Sequence, residues 1–320
     1  MNFKEYILKE LSSLRTHTDK NIDTDNVADL IYKLLMSKKF RKYSVEPSYQ
    51  EHVSKVIKNS IADNEPIKLT LVFGGYKLWR LEEAPEVDWA ELFSLIYYVK
   101  WLKPIAEIYK PGVWFDFYSD DVILNRMNNI PISETDIYIQ SFRQLLEFVK
   151  NYLPENLNFT LNRVGGQYKS REEFNQELDQ LIQNLEKEVY SVPLTPKQIT
   201  TIDSNVKLNP GQSEDANWRE KVNLTHEAYS RVSKRRPYYR NDQKIFVITR
   251  PIKDSIAVGT TKRSVVKFWI GAGVVQKDGD DYAAYIYSPK QLEANSFTKE
   301  SVDIEGLNGK NFKSVRMVNT

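Results

Sequence analysis

The chain has no cysteine, which removes disulfides, thiolate nucleophiles and cysteine-held zinc from the chemistry open to it. That absence suits a reducing compartment. Nowhere do about 18 or more uncharged apolar residues run together, the length a membrane-spanning helix needs. The opening "MNFKEYILKELSSLRTHTDK" carries acidic groups early and lacks the apolar core of a secretory signal. A cytoplasmic protein with no membrane partner is therefore expected. An excess of either charge is missing too: 45 Lys and Arg against 43 Asp and Glu leave a net charge of +2. Such balance argues against a chain dominated by polyanion binding, although a local basic patch keeps nucleic acid open as a partner. Histidine is scarce, with only His17, His52 and His226. There is no G-x-S-x-G context for a Ser-His-Asp triad and no histidine spacing for a metal. No repeat or low-complexity tract is present.

What remains is rich in aromatics, including 19 Tyr and 6 Trp in 320 residues, and long enough for one large α/β unit or a main domain with an appendage. Residues 4–16 and 25–60 read as amphipathic helices, with Asp25 as a cap. "IKLTLVF" (67–73), bounded by Pro66 and Gly74-Gly75, reads as an inner strand. A long helix follows, with Asp88 and Glu91 as a capping box, and Lys110-Pro111-Gly112 stops it before a strand at 113–118. Strand, helix, strand implies parallel neighbours joined by a right-handed crossover. A helix at 134–152, a strand at 157–161 and a helix at 171–190 continue the alternation. Residues 191–213 lose periodicity and read as a linker or crossing loop. Residues 214–236 are helical again, ending in the basic cluster Lys234, Arg235, Arg236 and Arg240. The last third holds short β-like runs, a helix start at Ser288-Pro289, and a final twenty residues that read as a loose tail with an edge strand. The expected division is an N-terminal helical layer (1–60), an α/β core (61–190), the linker, and a C-terminal α+β part (214–320) that completes the sheet or forms a small subdomain.

In open α/β sheets ligands gather beyond the carboxyl ends of the strands. The first strand leads to Gly74, Gly75, Tyr76, Lys77 and Arg80; the second, in "VWFDFYSDDVILNRMNN", leads to Ser119, Asp120 and Asp121. A lysine there can neutralise a phosphate or carboxylate, and an aspartate can orient an amine or move a proton. The plain alternative is that either aspartate caps the next helix and the glycines form a turn. Adjacent aspartates on an extended chain point apart, so a metal held by both needs a turn and a third ligand. Glu86, in the loop before the capping box, is placed to hold an ammonium. Arg163 and Arg250 follow strands, where a guanidinium fork can grip an anion. "GGYK" is neither a phosphate loop nor a dinucleotide fingerprint, and "GAG" at 271–273 is a lone short glycine motif.

The block "GGYKLWRLEEAPEVDWAELFSLIYYVKWLKPIAEIYKPGVWFDFYSDDVI" resembles the central segment of the isocyanide (isonitrile) synthase, or pyoverdine/dityrosine biosynthesis, family. The features that carry the likeness are Lys77, Pro85, Ala90-Glu91, the turn at 108–112 and Ser119-Asp120, about one sixth of the chain. The family's glycine after Ser-Asp is Asp121 here, and the stretch nearest its late "SIH" segment is "RPIKDSIAVG". The resemblance implies a Rossmann-like α/β fold, a mostly parallel sheet flanked by helices with a β-rich C-terminal part. It also implies an enzyme that converts the α-amine of an amino acid to an isonitrile, with a pentulose phosphate as carbon donor and neither nicotinamide cofactor nor metal. On that expectation Lys77, Asp120 and Asp121 are catalytic, and Gly74, Gly75, Tyr76, Arg80, Glu86, Ser119, Arg163 and Arg250 bind substrate. Two other readings stay open: a metal-dependent nucleotide-sugar or phosphoryl transferase using the two aspartates, and a nucleic-acid or protein-binding module using the tyrosines and the basic 231–240 stretch.

Overall fold

The computed structural model describes residues 1–15, 26–74, 77, 80–208, 211–232, 241–250 and 252–319, without the side chains of Asp121 and Val122. Five expectations fall outside it: the Asp25 cap, Gly75, Tyr76, the side chain of Asp121 and the Lys234–Arg240 cluster.

Three helices lead the chain: α1 (Phe3–Arg15), α2 (Val27–Leu35) and α3 (Pro47–Ala62), the last started by its proline at the first turn. Strand β1 (Ile67–Phe73), helix α4 (Trp89–Ile108) and strand β2 (Val113–Ser119) then form the expected βαβ unit. Beyond it come α5 (Asp121–Asn128), α6 (Ile132–Lys150) and β3 (Leu157–Arg163). Helices α7 (Arg171–Tyr190), α8 (Pro196–Asn205) and α9 (Trp218–Ser230) intervene before β4 (Ile245–Ile248) and β5 (Ile256–Ala257). These five strands make one parallel sheet in the order β3-β2-β1-β4-β5. The remaining strands, β6 (Ala272–Asp278), β7 (Asp281–Tyr287), β8 (Phe297–Ser301) and β9 (Ser314–Val318), form a second, mixed sheet in the order β7-β6-β9-β8; the short helix α10 (Pro289–Glu293) lies between β7 and β8.

Helix α4 holds the two sheets together. It is apolar nearly all round and buried along most of its length, as a helix enclosed on every side must be. Tyr98 packs on Phe115 and Phe117 of β2, whereas Trp89 meets Phe3 of α1 and Phe312. Two glycines permit the close approaches. Gly112 ends the turn after α4 with φ +74°, and a Cβ there would lie 1.9 Å from the Asn156 carbonyl oxygen. Gly273 brings β6 onto the first turn of α4, where a Cβ would lie 2.4 Å from Trp89 Cβ and 2.6 Å from the Ala90 nitrogen. The "GAG" motif thus has a packing role at its second glycine.

Two expectations are corrected. Residues 191–213 contain α8, which Thr195 starts by accepting from the Gln198 N–H while Gln198 caps it in return, with Pro196 at the first helical position. The C-terminal residues are no loose tail, because β9 lies inside the second sheet, parallel to β6 and antiparallel to β8.

Candidate functional site

The chain builds β1, β2 and β3 outward in one direction, then returns to add β4 and β5 on the other side. The order reverses between β1 and β4, and the crevice beyond the carboxyl ends of such a pair is where open α/β sheets take ligands. Phe73 ends β1 in register with Ser119 at the end of β2, which is in register with Arg163 at the end of β3. The Asp120 N–H donates to the Phe73 carbonyl at 2.7 Å. The segment before β6 closes over the same point: Phe268 and Trp269 pack on Phe73 at 5.5 and 5.8 Å, and the Trp269 carbonyl accepts the Lys77 N–H at 2.8 Å.

Lys77 is not exposed to solvent at all, with a relative exposure of 0%. Its ammonium donates to Asp88 Oδ1 at 3.0 Å and to Glu91 Oε2 at 2.8 Å. Both carboxylates also do the capping that the sequence assigned them: Asp88 accepts from the Ala90 N–H, and Glu91 accepts from the Asp88 N–H. Asp88 Oδ2 further accepts from the Gly273 N–H at 3.2 Å, and Tyr138 donates to Glu91 Oε1 at 2.8 Å. Burial pulls the Lys77 ammonium down, but Asp88 and then Glu91 overcome this and hold it above the ordinary lysine value. One cation cannot neutralise two buried carboxylates, and the excess falls on Glu91. Burial, opposed by Lys77 and reinforced by Asp88, pushes its carboxyl up to about 8. Burial and then Glu91 raise the Tyr138 phenol well above its usual value.

Asp120 stands at the N-cap position of α5 without making a side-chain cap. Its Oδ1 instead accepts from the Tyr229 hydroxyl of α9 at 2.6 Å. Lys77 and Asp120 thus have different partners, although β1 and β2 bring their segments to one end of the sheet. Gly74 and Ser119 are buried there, and Ser119 Oγ has no hydrogen-bond partner among the described residues. Arg163 is ion-paired to Asp136 at 2.6 Å. Glu86 faces the second sheet, accepting from the Lys310 N–H at 3.2 Å. Arg250, just past β4, is exposed, and Arg80 donates to the Ser204 carbonyl.

Lys267 was not singled out from the sequence. Burial, then the charges of Arg250 and Arg80, pull its amine down to about 8, so both guanidiniums lie near enough to act on it. No carboxylate pairs with Lys267 among the described residues; its nearest charge contact is the Trp269 ring, 5.6 Å from Nζ to the centroid. The buried Thr249 Oγ1 and Trp269 Nε1 also lack partners. One signal was available: a lysine inside the apolar run "SVVKFWIG". A separate cleft of about 400 Å3 runs along the middle of α4, but there Glu10 is tied to Lys100 and Asp278 to Arg263. Among the described residues, no group of three or more His, Asp or Glu is arranged to hold a metal, and no helix is long and apolar enough to cross a membrane.

No family model and no curated protein matches this chain. Among solved structures, the PvcA protein from Pseudomonas aeruginosa aligns with 92% of this chain and 100% of its own, with a TM-score of 0.65 at 14% identity. The likeness to PvcA is one of fold, and it runs along nearly the whole chain. A tyrosyl-tRNA synthetase from Aeropyrum pernix aligns with 69% of this chain and 52% of its own at 10% identity; its TM-score of 0.32 carries no argument.

Proposed function

We propose that the protein is a biosynthetic enzyme of the isonitrile synthase type, converting the α-amine of an amino acid to an isonitrile with a pentulose phosphate as carbon donor. The observation that carries this reading is the presence of Arg250 and Lys267, with Arg80 near the latter, beside the switch point of a PvcA-like sheet. Cations that repel one another are stabilised by a dianionic phosphate, and guanidinium forks suit its oxygens. In this reading Arg250 and Arg80 take the phosphate, and the free Ser119 hydroxyl takes a sugar hydroxyl. Asp120, steadied by Tyr229, withdraws a proton from the imine that forms when the amine condenses with the ketone and water leaves. Lys77 enters as a positioning residue, fixing the first turn of α4 through Asp88 and Glu91. Gly74, Gly75 and Tyr76, which follow β1 in the sequence, are assigned to substrate binding, and Asp121, the next residue after Asp120, is assigned as a second acid. Arg163 and Glu86 act at the margins, on the amino acid's carboxylate and ammonium.

Purified protein incubated with each common amino acid and a pentulose phosphate is expected to consume both and to yield an isonitrile, read by mass spectrometry and its infrared stretch. Asp120→Asn lowers turnover by about 100-fold or more, the contribution of a positioned proton acceptor. Absence of consumption with every common amino acid removes the reading.

A further inference from the structure

We propose that the cleft beside the middle of α4 is a binding site for a small aromatic carboxylate, separate from the crevice at the end of the parallel sheet.

The cleft has a volume of about 400 Å3 and lies where α1, α4, the segment after α2 and the β6-β7 hairpin meet. Small-molecule sites are concavities of roughly 300–1,000 Å3, mostly apolar and aromatic, with a few placed polar groups. Phe93 and Ile96 of α4 line this one, together with two pairs of rings. Tyr6 and Tyr282 have centroids 5.5 Å apart, and Phe40 and Tyr97 have theirs 5.0 Å apart. Both pairs are held from behind. Phe3 packs edge-on against Tyr282 at 5.7 Å, and the Tyr97 hydroxyl donates to the Lys39 carbonyl at 3.2 Å. An aromatic guest finds rings contributed by several elements, and tilted ring contacts are favourable beyond the area they bury.

Charge decides the sign of the guest. Four cations and three acids line the cleft, and the acids are already taken: Glu10 by Lys100, Asp278 by Arg263, and Asp281 by Lys9 at 3.8 Å. Lys39 and Lys262 make no ion pair with a described residue; the Lys39 ammonium lies over the Phe40 ring, 5.3 Å from its centroid. The backbone brings these two lysines to one place. Arg41 bridges Val258 in antiparallel fashion and the Gly259 N–H donates to the Phe40 carbonyl at 3.0 Å, which sets Lys39 beside the turn that carries Lys262. Burial, then Glu10 and Asp281, raise the Tyr6 phenol above its usual value, so it stays a neutral donor and adds no opposing charge. A monoanion with a flat apolar body meets both demands, its ring among the aromatic side chains and its carboxylate on the free lysines. A cationic guest finds every acid occupied.

Calorimetric titration with 2-naphthoate tests this. Wild type is expected to bind one molecule per chain saturably, and 2-naphthamide, of the same shape without the charge, at least about fivefold more weakly, the worth of modest ionic contacts. The double variant Lys39→Gln, Lys262→Gln changes two exposed residues and weakens naphthoate by at least about fivefold, with an unchanged thermal midpoint. Arg250→Ala, at the sheet end, binds naphthoate as wild type does. Absence of naphthoate binding by wild type, equal affinity for acid and amide, or equal affinity in the lysine variant overturns the proposal. Decanoate bound as tightly as naphthoate overturns the aromatic class, and loss of binding in Arg250→Ala places the guest at the sheet end and overturns the site. None of these results bears on the proposed function, whose own test reads isonitrile formation.

Discussion

Lys77 shows how much a single residue can conceal in a sequence. Its place after the first strand was legible, and so was the capping box of Asp88 and Glu91. That the three would meet was not, because a cap uses only part of a carboxylate's capacity and the spare oxygens took the lysine. Removing the ammonium leaves two buried acids without their cation, so Lys77→Met is expected to destabilise the fold by about 3–5 kcal/mol, measured by denaturant unfolding. A change below about 1 kcal/mol, the range of an exposed ion pair, contradicts the burial described. Lys267 and Tyr229 escaped the sequence for a related reason. Their partners, Arg250, Arg80 and Asp120, lie on other elements, and no spacing along the chain encodes such contacts.

Among the elements, α4 was the most legible, since its capping box and its Pro-Gly stop are local signals. Helix α8 was less so: its own cap is local, but the surrounding Pro, Thr, Ser and Asn obscured it. The interior place of strand β9, which the sequence offers only as an edge strand, was hidden because its burial depends on β6 and β8, and strand pairing is non-local. The first turn of α4 also carries a pH dependence. Glu91 titrates near 4.5 when unfolded and at about 8 when folded, so between those values the folded state binds more protons and stability falls as pH rises. The groups facing it are Lys77, Asp88 and Tyr138. Glu91→Gln leaves Lys77 paired one-to-one with Asp88 and removes this slope. The thermal midpoint of wild type is expected to fall between pH 5 and pH 8 by at least roughly 2 °C more than that of the variant, the shift of about 1 kcal/mol. Parallel curves would show that Glu91 stays ionised throughout.

At the scale of the whole molecule, the strand-helix alternation announced a parallel sheet, and the sheet flanked by helices with a β-rich C-terminal part is what the chain forms. The position of the switch point was not legible, because it depends on the chain returning from β3, through α7, α8 and α9, to set β4 beside β1. Nor could the sequence show that the second sheet would pack on α4 and carry Lys267 to the same end. The account therefore turns on whether this end of the molecule holds a small phosphorylated anion. The direct measurement is calorimetric titration of wild type, Arg250→Ala and Arg80→Ala with a pentulose phosphate at low and moderate salt. Saturable binding of one ligand per chain is expected, weaker at the higher salt and at least about tenfold weaker in each variant, or 1.4 kcal/mol. Absence of binding by the wild type, or equal affinity in all three proteins, would contradict it.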